Sequence, residues 1–229
     1  MPSNGVVRVH PNGTWQLIAD LSAFQQANPV KHPNPGDFEP DGTWWSMVVL
    51  HDELFAVEPN HGELDKITTS GKISRVVDIS ASQGHVVPTA ITRHGSNFYV
   101  SNLGTFDSDQ LNAQSIFQIT PSGNLRVIAT GFSKVLGLAF DERSRLYVLE
   151  TSYSTTDPGP EPGTGRLIRV LPNGKQEVVI DSTSGLLTFP TGMTFGPDGA
   201  LYISNVGFGP PPIGLGQILR VQFGDDDDD

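Results

Sequence analysis

The chain contains no cysteine among its 229 residues, and this absence removes several classes of chemistry. Disulfide bridges, thiolate metal sites and a cysteine nucleophile are all excluded. No run of about 18 apolar residues is present, so the sequence predicts no transmembrane helix. The first thirteen residues lack the basic start and apolar segment of a secretory signal peptide. A net charge of −11 without a basic patch argues against nucleic-acid binding.

Several familiar motifs are also missing. There is no P-loop and no dinucleotide-binding fingerprint, and neither Ser46 nor Ser101 has the Gly-x-Ser-x-Gly context of a hydrolase nucleophile. Helical periodicity is scarce, and residues 21–27 form the one candidate helix, which we interpret as a turn in a long loop. Five of the negative charges lie at residues 225–229, which we interpret as a disordered acidic tail or tag remnant outside a domain of residues 1–224.

Turn residues, in contrast, are abundant, with 25 glycines and 18 prolines. Four similar turns, HPNGTW, TTSGKI, TPSGNL and LPNGKQ, recur roughly every fifty residues. Each joins two short runs in which apolar and polar residues alternate, as GVVRV and WQLIAD do at the first turn. Short alternating runs joined by a glycine-containing turn predict β-hairpins.

A second hairpin precedes most of these, so the repeating unit has four strands, which we label a to d in chain order. The chain begins with strands c and d (6–20), continues with three full units (44–80, 85–130 and 135–181) and ends with a, b and c (189–223). Four-stranded units at this period are typical of β-propeller blades. We therefore predict an all-β propeller with about four blades in this chain.

Longer motifs extend this prediction to a family. The blocks EPNHGELD, SASQGHVVPTA and LTFPTGMTFGPDGALYISNVGFG, together with most of the chain before the acidic tail, resemble the ScyD/ScyE family, which is named from the scytonemin cluster. The resemblance implies a secreted NHL-type propeller, and therefore an extracellular or periplasmic parent protein. Because rings of this family usually have six blades, it also implies that about one and a half N-terminal blades are missing here.

Polar residues end the b strand of each unit. If these strands face a common axis, their oxygen-bearing side chains form a candidate site for calcium or another divalent cation. Gluconolactonase-like propellers have a comparable metal centre, by analogy only. The alternative is that these residues cap turns by bonding backbone groups. The four predicted metal ligands are Glu58, Asn102, Glu150 and Asn205.

Two histidines lie near the predicted axis. His61 follows Glu58 by three residues and His85 precedes the next a strand, and either could act as a general acid or base. A hydrogen-bonded structural role is the alternative for both. Four further residues are predicted to line a ligand site at the tunnel mouth: Trp45, Asn60, Thr89 and Thr191. Asp37, Glu39 and Asp41 form an acidic loop that suits either solvent or a cation.

These residues leave three functions open. The first is a secreted binding module that takes a metal ion or small ligand at the tunnel mouth. The second is a metal-dependent lactone or ester hydrolase, or a lyase, that uses the same residues. The third is a structural ring for protein–protein contact. We expect a small-molecule or protein partner, and a homo-oligomer could form through open sheet edges.

Overall fold

The computed structural model describes residues 4–33, 42–105, 111–154, 160–209 and 215–224. The chain divides into two compact units, one comprising Met1–Thr105 and Phe117–Val127 and the other comprising Phe106–Ile116 and Ile128–Asp229. The acidic tail and the acidic loop at 37–41 lie outside the described residues. No helix in the described ranges has the length and apolar character needed to cross a bilayer.

The first unit consists mainly of short strands whose apolar residues alternate, as the hairpin pattern predicts. Its elements are β1 (Gly5–Val9), β2 (Trp15–Asp20), α1 (Leu21–Ala27), β3 (Ser46–Leu50), β4 (Glu53–Glu58), β5 (Glu63–Ile67), β6 (Ile73–Asp78), α2 (Ser80–Gln83), β7 (Pro88–His94) and β8 (Asn97–Asn102).

Two strands are shared between the units, and seven belong to the second. The shared strands are β9 (Gln114–Ile119) and β10 (Leu125–Phe132). The second unit contains β11 (Val135–Phe140), β12 (Leu146–Glu150), β13 (Arg166–Val170), β14 (Gln176–Ile180), β15 (Gly192–Phe195), β16 (Leu201–Asn205) and β17 (Gln217–Val221), with a 3-10 turn at Ser182–Ser184.

The strands form sheets in which each strand pairs with its neighbour in sequence. Among the described residues, β3–β6, β7–β10 and β11–β14 are four-stranded sheets, β15–β17 is three-stranded, and β1–β2 is two-stranded. These consecutive meanders are the blades of a β-propeller. The prediction of c and d, three full units, and a final a, b and c is thereby confirmed strand by strand.

Apolar side chains fill the space between adjacent sheets of the same unit. In the first unit, Phe55 of β4 contacts Phe98 of β8, with ring centroids 4.4 Å apart. A second apolar group joins Ala19 of β2 to Ala56 and Ile67 of the next sheet. In the second unit, the corresponding core contains Tyr147, Leu167, Leu201 and Ile203. Burial of each large apolar side chain contributes roughly 1.5–3 kcal/mol, so this packing dominates the stability of each unit.

The segment at 21–27 differs from its prediction. It forms helix α1 instead of a turn. Asp20 caps it, because its Oδ1 atom accepts a hydrogen bond of 3.0 Å from the backbone N–H of Ala23. Leu21 and Gln25 are buried on one side of the helix, so tertiary packing supports a segment that is too short to be stable alone.

Candidate functional site

The turn between β4 and β5 carries the two most closely associated of the predicted site residues. Glu58 ends β4, and its side chain folds over the turn that follows. Its Oε1 atom accepts a hydrogen bond of 3.1 Å from the backbone N–H of Asn60. Its Oε2 atom accepts one of 2.6 Å from the backbone N–H of His61. Glu58 therefore fixes the backbone that presents His61.

The side chains of Glu58 and His61 also bond directly. The Nδ1 atom of His61 lies 3.1 Å from Oε2 of Glu58. Glu58 is fully buried, and His61 is 7% exposed. The hydrogen bond to Glu58 raises the pKa of His61 above its usual value, and burial opposes this effect only in part. The bond to Glu58 also keeps the ring oriented, and an oriented imidazole with a raised pKa suits proton transfer or ligand binding.

The segment before β3 approaches the same carboxylate. The backbone N–H of Thr43 donates to Oε1 of Glu58 over 2.8 Å. Trp45, predicted to line the ligand site, donates its backbone N–H to the carbonyl of Val57 and leaves its side chain 54% exposed. An exposed aromatic face two residues beyond Thr43 is suited to contact a ligand.

The other predicted residues of the first unit lie on or before β7 and β8. Thr89 is only 1% exposed, and its carbonyl accepts a hydrogen bond of 2.8 Å from Oγ of Ser46. Asn102 is 2% exposed at the end of β8, where it pairs with Pro88. His85 is half-buried in the segment between α2 and β7.

In the second unit, Glu150 occupies the same place in its sheet as Glu58, but it has a different partner. Its fully buried carboxylate binds Arg166 through two hydrogen bonds, of 2.6 Å to Oε2 and 3.0 Å to Oε1. The backbone N–H of Ser133 donates to Oε1 over 2.8 Å. Burial raises the pKa of Glu150, and Arg166 opposes the rise. The guanidinium also lies 3.5 Å from the centroid of the Tyr153 ring.

Asn205 ends β16 in the corresponding position. Its Oδ1 atom accepts a hydrogen bond of 2.8 Å from the backbone N–H of Thr188, and its amide donates to the carbonyl of Leu186 over 3.2 Å. Thr191 lies in the same loop and donates its backbone N–H to the carbonyl of Ser204. Asn205 therefore fastens the loop that leads into β15.

Glu58, Glu150 and Asn205 share one contact, because each accepts a backbone hydrogen bond from the segment that leads into its own sheet. This geometry favours the turn-fixing interpretation of these residues. Glu150 in particular already has a guanidinium as its counter-charge. Within the described ranges, no three His, Asp or Glu side chains converge in a group suited to a metal. The four-residue cation site stays a prediction.

Two important groups were not singled out from the sequence. One is Arg166, whose pairing with Glu150 depends on the register of β12 against β13. The other is the acid pair Glu63 and Asp65 on β5, both fully buried. Their alternation with Leu64 in the motif EPNHGELD is the signal that could have placed both acids on one face of a strand.

Comparisons with known proteins support the fold. No protein-family model matches the chain, and no curated protein matches it. The solved structure of virginiamycin B lyase from Staphylococcus aureus is similar, with a TM-score of 0.56, 16% identity, and coverage of 94% of this chain and 62% of that one. A chain of a nidogen/laminin complex has a TM-score of 0.56, 14% identity and coverage of 88% and 64%. A putative gluconolactonase has a TM-score of 0.51, 16% identity and coverage of 91% and 68%.

Identities this low show the fold alone, and the fold that they share is the β-propeller. The chain spans less than two thirds of the length of the lyase and of the nidogen/laminin chain. The class of this protein is therefore a β-propeller, and its activity has to be argued from its own residues.

Proposed function

We propose that this protein is a ligand-binding propeller module that holds a small polar molecule at the turn formed by Glu58, Asn60 and His61. The observation that carries the proposal is the Glu58–His61 pair, in which a buried carboxylate orients an imidazole over 3.1 Å. The bond to Glu58 sets the orientation of the imidazole ring at this turn. Trp45, exposed two residues beyond the Thr43 contact, supplies an aromatic face.

A direct test uses two compounds suggested by the structural neighbours, virginiamycin B and glucono-1,5-lactone. We expect a saturable rise in melting temperature with at least one of them, because a ligand that binds only the folded state stabilises it. The rise should be lost in His61→Gln. It should persist in the matched control His51→Gln, since His51 is an exposed turn residue of the same unit. Equal shifts in both variants would remove His61 from the site.

An enzyme is the second candidate, and the raised pKa of His61 favours it. A carboxylate-oriented imidazole can move a proton in an elimination or a hydrolysis, and two neighbours carry the names lyase and putative gluconolactonase. Turnover of either compound, lost in Glu58→Gln with the circular dichroism spectrum unchanged, would establish the enzyme. Binding without turnover would leave the module as proposed.

A divalent cation, calcium first, is a separate part of the proposal and concerns Glu58, Asn102, Glu150 and Asn205. Its support is that all four side chains offer oxygen atoms and are at most 2% exposed. After chelator treatment, a bound cation should raise the melting temperature of the wild type and leave that of Glu150→Gln unchanged. A wild type that responds to none of calcium, magnesium, manganese or zinc would leave these residues as turn-fixing groups.

Membership of the ScyD/ScyE family, secretion of the parent protein and self-association through open sheet edges complete the proposal. They rest on the motifs EPNHGELD and SASQGHVVPTA and on the unpaired edge that β1 presents in its two-stranded sheet among the described residues. Light scattering of the melting-test sample gives the oligomeric mass.

A further inference from the structure

A group of buried polar side chains joins α1 to β5 in the first unit. Glu63 and Asp65, here called the buried acid pair, are two residues apart on β5 and therefore face the same side of the sheet. Both are fully buried. The facing side of α1 contributes Gln25, which is 3% exposed. The contact is therefore polar at the place where an apolar core would be expected.

Glu63 makes the charged contacts of the pair. It accepts hydrogen bonds from Nε of Arg75 on β6 and from the side-chain amide of Gln25. Arg75 also donates to the carbonyls of Asn28 and Pro29, immediately beyond α1. Glu63 and Arg75 together therefore fasten both the side and the end of the helix to the sheet.

Asp65 has fewer hydrogen-bond donors than Glu63 to stabilise a negative charge. Its Oδ2 atom accepts a hydrogen bond of 3.0 Å from Nε1 of Trp44. Its Oδ1 atom is buried and has no hydrogen-bond partner among the described residues. An ionised carboxylate that is removed from water, next to a second carboxylate and short of donors, is strongly disfavoured. A proton on Asp65, donated towards Glu63, resolves both problems.

The charged groups around the pair also favour a proton on Asp65. Arg75 from β6 contacts Glu63, and its charge is already matched by that carboxylate. His61 lies in the turn before β5, and its imidazole pairs with the carboxylate of Glu58. Helix α1 itself, LSAFQQA, contains no ionisable side chain, and neither do residues 42–45, the described part of the segment before β3, from which the Trp44 indole bonds Asp65. Asp78 on β6 adds a negative charge near Arg75 and binds the backbone of Lys31.

We propose that Glu63 and Asp65 share one proton and that this proton fastens α1 to the sheet β3–β6, so that the helix is released when the proton leaves. Release is favoured because loss of the proton places two negative charges opposite one arginine in a buried contact. Gln25 Oε1 and Ser22 Oγ, both buried on α1, have no hydrogen-bond partner among the described residues, so the polar contacts between the helix and this sheet pass mainly through Glu63 and Arg75.

The direction of the pH dependence follows from the burial of the pair. Burial and the charge of Glu63 raise the pKa of Asp65 well above its usual value. A group whose folded-state pKa is raised contributes stability below the unfolded-state pKa, and that stability is lost as the pH rises through the folded-state pKa. The helix should therefore be held tightly in acid and loosened as the pH rises.

Hydrogen exchange of the Asn28 amide, which donates to the carbonyl of Phe24 at the end of α1, measures this directly. We expect its protection factor in the wild type to fall by up to about tenfold for each pH unit between the open-state and folded-state pKa values of the pair, because opening releases one proton in that range, and to level off above it. In Asp65→Asn, the introduced amide can donate to Glu63 at every pH. Its protection factor should not change with pH.

The matched control is Asp198→Asn, because Asp198 is an exposed acid of the second unit paired with Arg220. In this variant the Asn28 protection factor should depend on pH as it does in the wild type. The proposal would be overturned if the wild-type protection factor did not change with pH. It would also be overturned if the protection factor of Asp65→Asn fell with pH as that of the wild type does. If Asp65→Asn does not fold, the infrared band of a protonated carboxyl shows instead whether the buried acid pair holds a proton. It should be present in the wild type at a pH just above the range in which exposed carboxyls titrate, and its absence there would refute the shared proton.

Discussion

Replacing Arg166 with glutamine is expected to lower the free energy of unfolding by about 3–5 kcal/mol at neutral pH, because the change leaves the Glu150 carboxylate buried without its counter-charge. Glu150 has no exposed surface, and two of its hydrogen bonds come from Arg166. The backbone N–H of Ser133 is a further donor to it. Urea unfolding followed by circular dichroism measures the loss.

Arg220→Gln is the matched control. Arg220 also pairs with an acid, Asp198, and also lies on the third strand of its sheet, but the two side chains are 48% and 39% exposed. Surface pairs of this kind contribute little, so we expect no measurable change. The double variant Glu150→Gln/Arg166→Gln should recover much of the loss, since it removes the uncompensated charge. Equal losses in Arg166→Gln and Arg220→Gln would contradict the argument.

The loss in Arg166→Gln should also depend on pH. Burial already raises the pKa of Glu150, and the positive charge of Arg166 limits that rise. Without Arg166 the pKa rises further, so the folded variant takes up a proton as the pH falls. The destabilisation should therefore shrink in acid and grow as the pH increases through the titration of Glu150.

The strands were predictable because their signals are local. Alternation of apolar and polar residues defines each strand, and a glycine-containing turn joins the third and fourth strands of each unit, so runs such as RLIRV and QEVVI fall on β13 and β14. The repeat then assembles the strands into blades without further information. Ends of b strands were equally predictable, which is why Glu58, Glu150 and Asn205 could be aligned before their contacts were known.

The partners of those residues were not predictable. Arg166 reaches Glu150 across a connection of fifteen residues, and no local pattern sets the register between them. Helix α1 is seven residues long and is held by contacts with residues about forty positions later, such as Gln25 with Glu63. Long-range contacts of this kind decide the chemistry of the buried carboxylates, whereas local patterns decide only where the strands run.

Two of the four recurring turn glycines, Gly71 and Gly123, also have a long-range reason. Gly71 has a φ of +89°, and a Cβ atom placed on it would lie 1.9 Å from the carbonyl oxygen of Ile18 on β2. Gly123 has a φ of +86°, and its Cβ atom would lie 2.4 Å from the carbonyl oxygen of Val76 on β6. In both cases, the turn between the third and fourth strands of one sheet touches the last strand of the sheet before it. Glycine is needed at these turns because the backbone has a positive φ and because the neighbouring strand leaves no room for a Cβ atom.

Gly71→Ala should therefore destabilise the protein by about 2–5 kcal/mol, combining about 1–2 kcal/mol for the left-handed backbone with about 1–3 kcal/mol for forced displacement of the neighbouring strand. Gly13→Ala is the control, because Gly13 has a φ of +82° at the same turn position but nothing within 4 Å of an added Cβ atom. It should show only the backbone cost. Urea unfolding of both variants isolates the contact between the sheets, and equal losses would mean that the repeat retains glycine for its turn geometry alone.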